Sequence, residues 1–319
     1  MNITTTGDYG TLATLLNQSA SVRNQLALVQ QQAATGLRDT RYAGLGAGAR
    51  VSLDLRPQVA HQEGYQRNID AAAGRVGLTQ TALKSIADIA SDLFAQLGTL
   101  NGINPTDPAS VAALARNGLE QVANLLNTKV GNVYVFAGED TATPPVPDTR
   151  ATTLVPALLG GTTGAPFSST IGTASPTVEV GEGERVSIGL IANRNTSVAS
   201  VAPTTGSYMR DILTSLARLT TITNGPALQS DVAAARTPLT NAITSIALEA
   251  GALGNAQNQL QTRRAQSAQT VIALNTQLSN AEDVDLADTL TRVNSLQAAL
   301  QASYQIIAGF KNLSLANYL

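Results

Sequence analysis

A mainly α fold is predicted for this chain: long helices in a bundle, coiled-coil segments at both ends packed together, and a small β-rich insert in the middle. Three observations lead there. Near the start, Leu12, Leu15, Ser19, Val22, Leu26, Val29 and Ala33 form an unbroken stripe spaced by threes and fours. Near the end, Val293, Leu296, Leu300, Ile307 and Phe310 form a second, with Tyr304 beside it. A stripe that narrow is the seam of a coiled coil rather than the broad face of a core helix. Between them, the spacing changes to short β-like runs only from about residue 133 to 203.

The first helix is expected over about 11–35, ending at Gly36, which suits a C-cap. RYAGLGAGAR then reads as a bend. Ile69, Ala72, Val76, Thr79, Leu83, Ile86, Ala90, Leu93, Leu97 and Leu100 predict a rod of roughly 30 residues, about 45 Å long. NGINPTDP breaks it. Asp107 and Pro108 supply an N-cap and an N1 proline for a third helix, whose apolar face is Val111, Leu114, Leu119, Val122 and Leu126.

From Val133 the runs VYVFAGED, TVEV and RVSIGLIA lie among Gly, Pro and Thr clusters, so this stretch is expected to be strand and loop. Helix resumes near Tyr208, breaks at NGP (224–226) and restarts after Pro238. A stride of seven through Leu239, Ile246, Leu253, Leu260, Ser267 and Leu274 then makes a second long rod. The expected division is a terminal coiled-coil layer of 1–45 with 281–319, a helical rod domain of 46–132 with 204–280, and an outer insert of 133–203. A single seam returns less free energy than ordering a helix of that length costs. The chain ends therefore need partners, each other or neighbouring copies.

Composition narrows the function. Charged residues make up 13%, against about 25% in ordinary domains, so much of the surface is expected to face other protein. The net charge of −2 and the lack of a basic run beyond Arg263 and Arg264 disfavour nucleic acid as a partner. No apolar run reaches the roughly 18 residues of a membrane span, and the first residues lack the pattern of a cleaved signal peptide. With no cysteine there is no disulfide, and with one histidine a metal set of the usual kind fails. His61 in HQEGY reads as a solvated helix residue, and GLGAG (44–48) as a bend rather than a phosphate loop, since no strand precedes it. Glu282, Asp283, Asp285 and Asp288 suit the first turn of the last helix, complementing its dipole. No catalytic, metal or cofactor-binding residue is expected.

The tail ALQASYQIIAGFKNLSLANYL (299–319) and its acidic lead-in SNAEDVDLADTLTRV (279–293) resemble the end of the flagellin-like hook-associated proteins that form the hook–filament junction of bacterial flagella. MNITTTGDYGTLATLLNQSASVRNQLALVQQQAATGLR resembles the opening helix of that family and of filament flagellins. QRNIDAAAGRVGLTQTALKSIADI (66–89) is similar to its second helix, and NVYVFAGEDTATPPV (132–146) to the entry into its central domain. The insert between about 147 and 203 lies outside the resemblance. In place of the acidic, proline-containing loop common after the first helix stands RYAGLGAGAR.

The resemblance implies a flagellin-like bundle whose termini are unfolded in the monomer and order on assembly. It implies export by flagellar type III secretion, without a cleaved signal peptide, to the hook–filament junction outside the cell. The implied partners are further copies of the chain, a second hook-associated protein, flagellin, and a cytoplasmic chaperone on the C-terminal helix, covering Leu300, Ile307 and Phe310 with Tyr304 as an alternative anchor. Filament flagellin is the nearest rival reading. A hydrolase with flagellin-type ends, built on His61 or the 282–288 acids, is the rival of another class.

Overall fold

The computed structural model describes the chain apart from residues 1–4, 101–106, 162–163 and 317–319, and apart from the side chains of 5–9, 11–12 and 310–316. The elements are α1 (Thr5–Thr35), a 3-10 turn (Tyr42–Leu45), α2 (Gly48–Thr99), α3 (Pro108–Leu126), β1 (Lys129–Val130), β2 (Val133–Tyr134), α4 (Ala151–Leu159), β3 (Thr177–Gly181), β4 (Glu184–Ser187), α5 (Tyr208–Leu219), α6 (Leu228–Glu282) and α7 (Leu286–Ala316). They form two compact units. One comprises residues 1–61 and 270–319, the other 62–269.

The second unit is organised by two antiparallel stretches, α2 from residue 62 and α6 up to 269. Ile69, Val76, Leu83, Ile86, Leu93 and Leu97 are buried along α2, and Leu239, Ile246, Leu253 and Leu260 along α6. Where the stride of seven reaches Ser267, its hydroxyl donates to Gln62 Oε1 at 2.9 Å and accepts from Gln66 Nε2 at 3.4 Å. A polar group is thereby accommodated in the seam without an unpaired donor. The half-exposed Arg264–Asp70 pair, 2.5 Å apart, joins the same two helices, though solvent screening makes its contribution small.

α3 and α5 complete this core. Asp107 Oδ1 accepts from Ala109 N at 3.1 Å and Pro108 occupies the first helical turn, as its sequence predicts. Ser207 caps α5 by accepting from Arg210 N at 3.2 Å, while its hydroxyl donates to the Ala192 carbonyl at 2.6 Å. Gly118 sits where helices approach closely. A methyl there would lie 3.1 Å from Ile89 Cγ2, tighter than most side-chain contacts, and in ordinary contact with Leu216 Cδ2 at 3.5 Å.

The restart expected after Pro238 is not what the chain does. α6 begins at Leu228 and continues through Pro238. Proline removes one intrahelical donor and strains the preceding turn. Burial of Val232, Ala235, Leu239 and Ala242 on one face offsets that cost. α2 likewise contains Pro57.

The insert carries less strand than its residue types imply and one helix that they do not announce. β1 pairs with β2 around Gly131, whose φ of +60° suits glycine. β3 pairs with β4 in an antiparallel hairpin with an irregularity between Glu179 and Gly181. α4 lies between the hairpins and buries Ala151 and Leu154, packing on α5 and α3. The base of the insert is closed by an antiparallel bridge between Ala137 and Ile191 and by Ala192 N donating to the Phe136 carbonyl at 3.0 Å. Its exit is strapped by Asp211, which is buried and accepts from Thr204 Oγ1, Thr205 N and Thr205 Oγ1 at 2.7 to 2.8 Å.

Two leucines separate packing from surface. Leu119 is fully buried in α3, whereas Leu248 is 61% exposed on α6. Leu119→Ala is expected to cost about 2 to 5 kcal/mol and Leu248→Ala no more than about 0.5 kcal/mol, measured by chemical denaturation of the full chain.

The paired chain ends as the candidate functional site

In the first unit, α1 and α7 pack along one another. On α1, Ser19, Leu26 and Val29 are buried, with Leu15, Val22 and Ala33 half-buried. On α7, Val293, Leu296, Leu300 and Ile307 are half-buried, Thr289 is buried, and Tyr304 is 48% exposed. Leu12 and Phe310 lie outside the residues whose side chains are described. The two stripes thus come together, with Tyr304 on the flank.

A backbone clasp fixes where these helices meet. α1 ends with Gly36 at φ +73°, a left-handed C-cap whose N–H donates to the Gln32 carbonyl at 2.8 Å. The chain then pairs with the break between α6 and α7. Leu37 and Asp283 form an antiparallel bridge, Arg38 N donates to the Glu282 carbonyl at 2.7 Å, and Val284 N donates to the Gly36 carbonyl at 2.9 Å. Side chains reinforce it: Arg38 Nε donates to the Asp283 carbonyl at 2.9 Å, and Gln32 Nε2 to the Arg38 carbonyl at 2.8 Å.

Beneath the clasp, the Glu282 carboxylate is buried. It accepts from Arg56 Nε at 2.8 Å, from Arg56 Nη2 at 2.7 Å and from the Ser52 hydroxyl. This forked geometry is the strong form of an ion pair. The Arg56 hydrogen bond holds the Glu282 carboxyl below its usual range against an opposing cost of burial, and the same bond raises the Arg56 guanidinium.

The acids expected in the first turn of the last helix are divided between two roles. Glu282 is the final residue of α6 and belongs to the ion pair. Asp283 lies in the clasp, accepting from the Ser279 hydroxyl. Asp285 Oδ1 caps α7 by accepting from Ala287 N at 2.8 Å and Asp288 N at 3.2 Å, with Asp288 in the first turn. A hydrogen-bonded turn between helices takes two of the four acids away from the dipole.

The GLGAG segment is an ordered corner. Gly46 has φ +56°, and α2 starts at Gly48. A methyl at Gly48 would sit 2.8 Å from the Ala281 carbonyl oxygen, so glycine permits the start of α2 to touch the end of α6. His61 is exposed on α2. Among the described residues, no group of three His, Cys, Asp or Glu side chains is placed to hold a metal ion, and no helix is long and apolar enough to cross a membrane.

The stripes read from sequence understate the apolar surface of this unit. Leu16 and Leu28 on α1, Ile272 on α6, and Leu286, Leu290 and Ile306 on α7 are all exposed, Leu286 by 51% and Leu290 by 55%. Leu286 and Leu290 precede Val293 at helical spacing and share a flank with Tyr304. That continuation was legible in the sequence as an extension of the α7 stripe toward its first turn.

Two terminal helices clasped together, joined to a rod of long helices with a small insert, define a flagellin-like structural subunit. The bacterial flagellin N-terminal helical region matches residues 10–141 and the bacterial flagellin C-terminal helical region matches residues 237–319; the chain belongs to this family. Among its relatives, flagellar hook-associated protein 3 of Salmonella typhimurium strain LT2 is 26% identical over 304 residues, spanning 89% of this chain and 90% of that protein. Two solved structures share the fold. A flagellar hook-associated protein from Vibrio parahaemolyticus superposes with a TM-score of 0.57 at 14% identity, covering 73% of this chain and 96% of that one. FlgL of Bacillus cereus superposes with a TM-score of 0.51 at 16% identity, covering 71% and 99%.

The clasp has a pH signature. Because the folded Glu282 carboxyl titrates below its ordinary value of about 4.3, its stabilisation is complete above that value and is lost as pH falls through the folded one. Glu282→Gln is expected to lower stability at neutral pH by about 1 to 2 kcal/mol, limited by the exposure of Arg56. It should also flatten the acid limb of a plot of melting temperature against pH.

Proposed function

We propose that this chain is a structural subunit of the bacterial flagellum that joins hook to filament, assembling through its paired ends into a helical layer of copies outside the cell. The observation that carries this reading is the apolar flank of the α1 and α7 pair. Leu286, Leu290 and Tyr304 on α7 and Leu16 and Leu28 on α1 are half or more exposed, or nearly so. One chain leaves them in water, and neighbouring copies would bury them. A head-to-tail contact whose rotation does not close builds a helix of subunits.

The assembly seam is assigned to Leu12, Leu15, Val22, Leu26, Val29, Val293, Leu296, Leu300, Tyr304, Ile307 and Phe310. In this reading the terminal layer is 1–45 with 281–319, the rod 46–132 with 204–280, and the outer insert 133–203. Before export, a cytoplasmic chaperone covers α7 through Leu300, Tyr304, Ile307 and Phe310. Assembled, the ends meet a second hook-associated protein and flagellin. In this reading the role is structural: His61 stands exposed on α2, and Glu282 is committed to Arg56.

The alignment along most of a hook-associated relative supports the junction over the filament. Filament flagellin is the second reading, favoured by the flagellin matches at both ends. Deleting the gene distinguishes them: a junction subunit leaves hooks intact and spills filament protein into the medium, whereas loss of a flagellin shortens or removes filaments.

Assembly coupled to ordering has its own readout. In hydrogen exchange, amides of residues 295–310 are expected to exchange quickly in the isolated chain and to become protected in the polymer. Leu290→Asp should leave the melting temperature of the monomer nearly unchanged, because that side chain is 55% exposed. It should abolish polymer seen by light scattering, because a charge at a buried contact is costly.

A further inference from the structure

The chain contains three asparagine–glycine pairs: 101–102, 117–118 and 224–225. Such a pair can react with itself. The glycine nitrogen attacks the asparagine side-chain carbon, and a ring closes where no Cβ on the second residue obstructs it. Whether this happens depends on the backbone, and here the pairs differ. The first lies outside the described residues. Asn117 and Gly118 are inside α3, with Gly118 packed against Ile89 and Leu216. The helical ladder holds the Gly118 nitrogen in place, and buried neighbours resist the change of dihedral angle.

Asn224 and Gly225 are placed otherwise. They lie between α5 and α6 in a bend, both exposed, outside either helix. A methyl built on Gly225 would meet nothing within 4 Å. The Gly225 carbonyl accepts from Leu228 N at 3.2 Å, but no helical ladder and no packed side chain holds the Gly225 nitrogen away from the Asn224 side chain. We propose that Asn224–Gly225 is a site of spontaneous covalent modification, at which the asparagine amide is lost and a carboxylate is left behind.

The chemistry needs only water. The Gly225 nitrogen bonds to Asn224 Cγ, the bond from Cγ to Nδ2 breaks, and the proton from the Gly225 nitrogen departs with the amide as ammonia. The product is a five-membered succinimide. Water then opens either of its carbonyls, giving aspartate with the original backbone or isoaspartate with the backbone routed through Cβ. Each product adds one negative charge just ahead of α6, whose first turn already carries Asp231. A carboxylate there is favourable to the helix dipole. The isoaspartate form also lengthens the connection by one backbone atom. Copies of the chain would accumulate this change with age.

Peptide mapping of the native full chain after incubation at mildly alkaline pH tests the proposal. Trypsin cutting after Lys84, Arg116, Lys129, Arg218 and Arg236 puts the three pairs in separate peptides, 85–116, 117–129 and 219–236. Peptide 219–236 is expected to gain about one dalton and to split into aspartate and isoaspartate species, well ahead of peptide 117–129. In denaturant the two peptides should react at similar rates, because the protection of Asn117 comes from the fold. Gly225→Ala fits the space and needs no left-handed backbone. It should keep the native melting temperature while slowing the reaction about tenfold, equivalent to about 1.4 kcal/mol in the barrier. Equal rates for the two peptides in the native chain would overturn the proposal, as would an unchanged rate in Gly225→Ala.

Discussion

Everything in the terminal unit depends on a short antiparallel pairing between segments about 245 positions apart. The Gly36 carbonyl receives Val284 N, and the Glu282 carbonyl receives Arg38 N. Two backbone hydrogen bonds are individually modest, yet they decide the register in which α1 and α7 lie together. The Glu282 carboxylate makes the arrangement selective. Out of water, it needs the forked Arg56 donor and the Ser52 hydroxyl at the same time. Sliding the end of α6 along α2 would strand it, and a buried charge without a partner is among the costlier defects a fold can carry. The pairing of the ends is thus specified by polar groups and consolidated by apolar ones.

The rod unit solves the opposite problem. With few charges available, its specificity resides in shape and in a few buried polar contacts. Gly118 lets α3 lie close to Ile89 and Leu216, and Ser267 interrupts an otherwise leucine-rich stride with a group that Gln62 and Gln66 satisfy. A polar residue at one seam position discriminates against slipped registers at some expense of stability. In a helix pair with a regular repeat, such a mark has particular value.

Much of this was legible in the chain itself. The two terminal stripes, Gly36 as a cap, Asp107 and Pro108 at the start of α3, and the onset of α5 at Tyr208 all follow from local chemistry, and the structure places those elements there. Three features were harder to see. α6 runs through Pro238 because tertiary burial of Val232 and Leu239 outweighs a local penalty. α4 was hidden because its residues, ATTLVPALL, contain two threonines and a proline, and its helicity depends on packing against α5. The role of Glu282 was out of reach because its partner, Arg56, is 226 positions away. Spacing reveals neighbours along one element and is silent about those brought together by the fold.

The bridge between Ala137 and Ile191, with the hydrogen bond from Ala192 to Phe136, has an evolutionary consequence. Both ends of a detour of more than fifty positions leave the rod side by side. Closing such a loop depends only weakly on its length, so large gains or losses of sequence beyond that neck need not disturb α3 or α5. One segment is not free to drift. α4 lends Ala151 and Leu154 to the shared core, so it acts as the root from which the remainder can diverge. Change in this lineage should therefore gather in the outward-facing turns, leaving the neck and the root as its slowest positions.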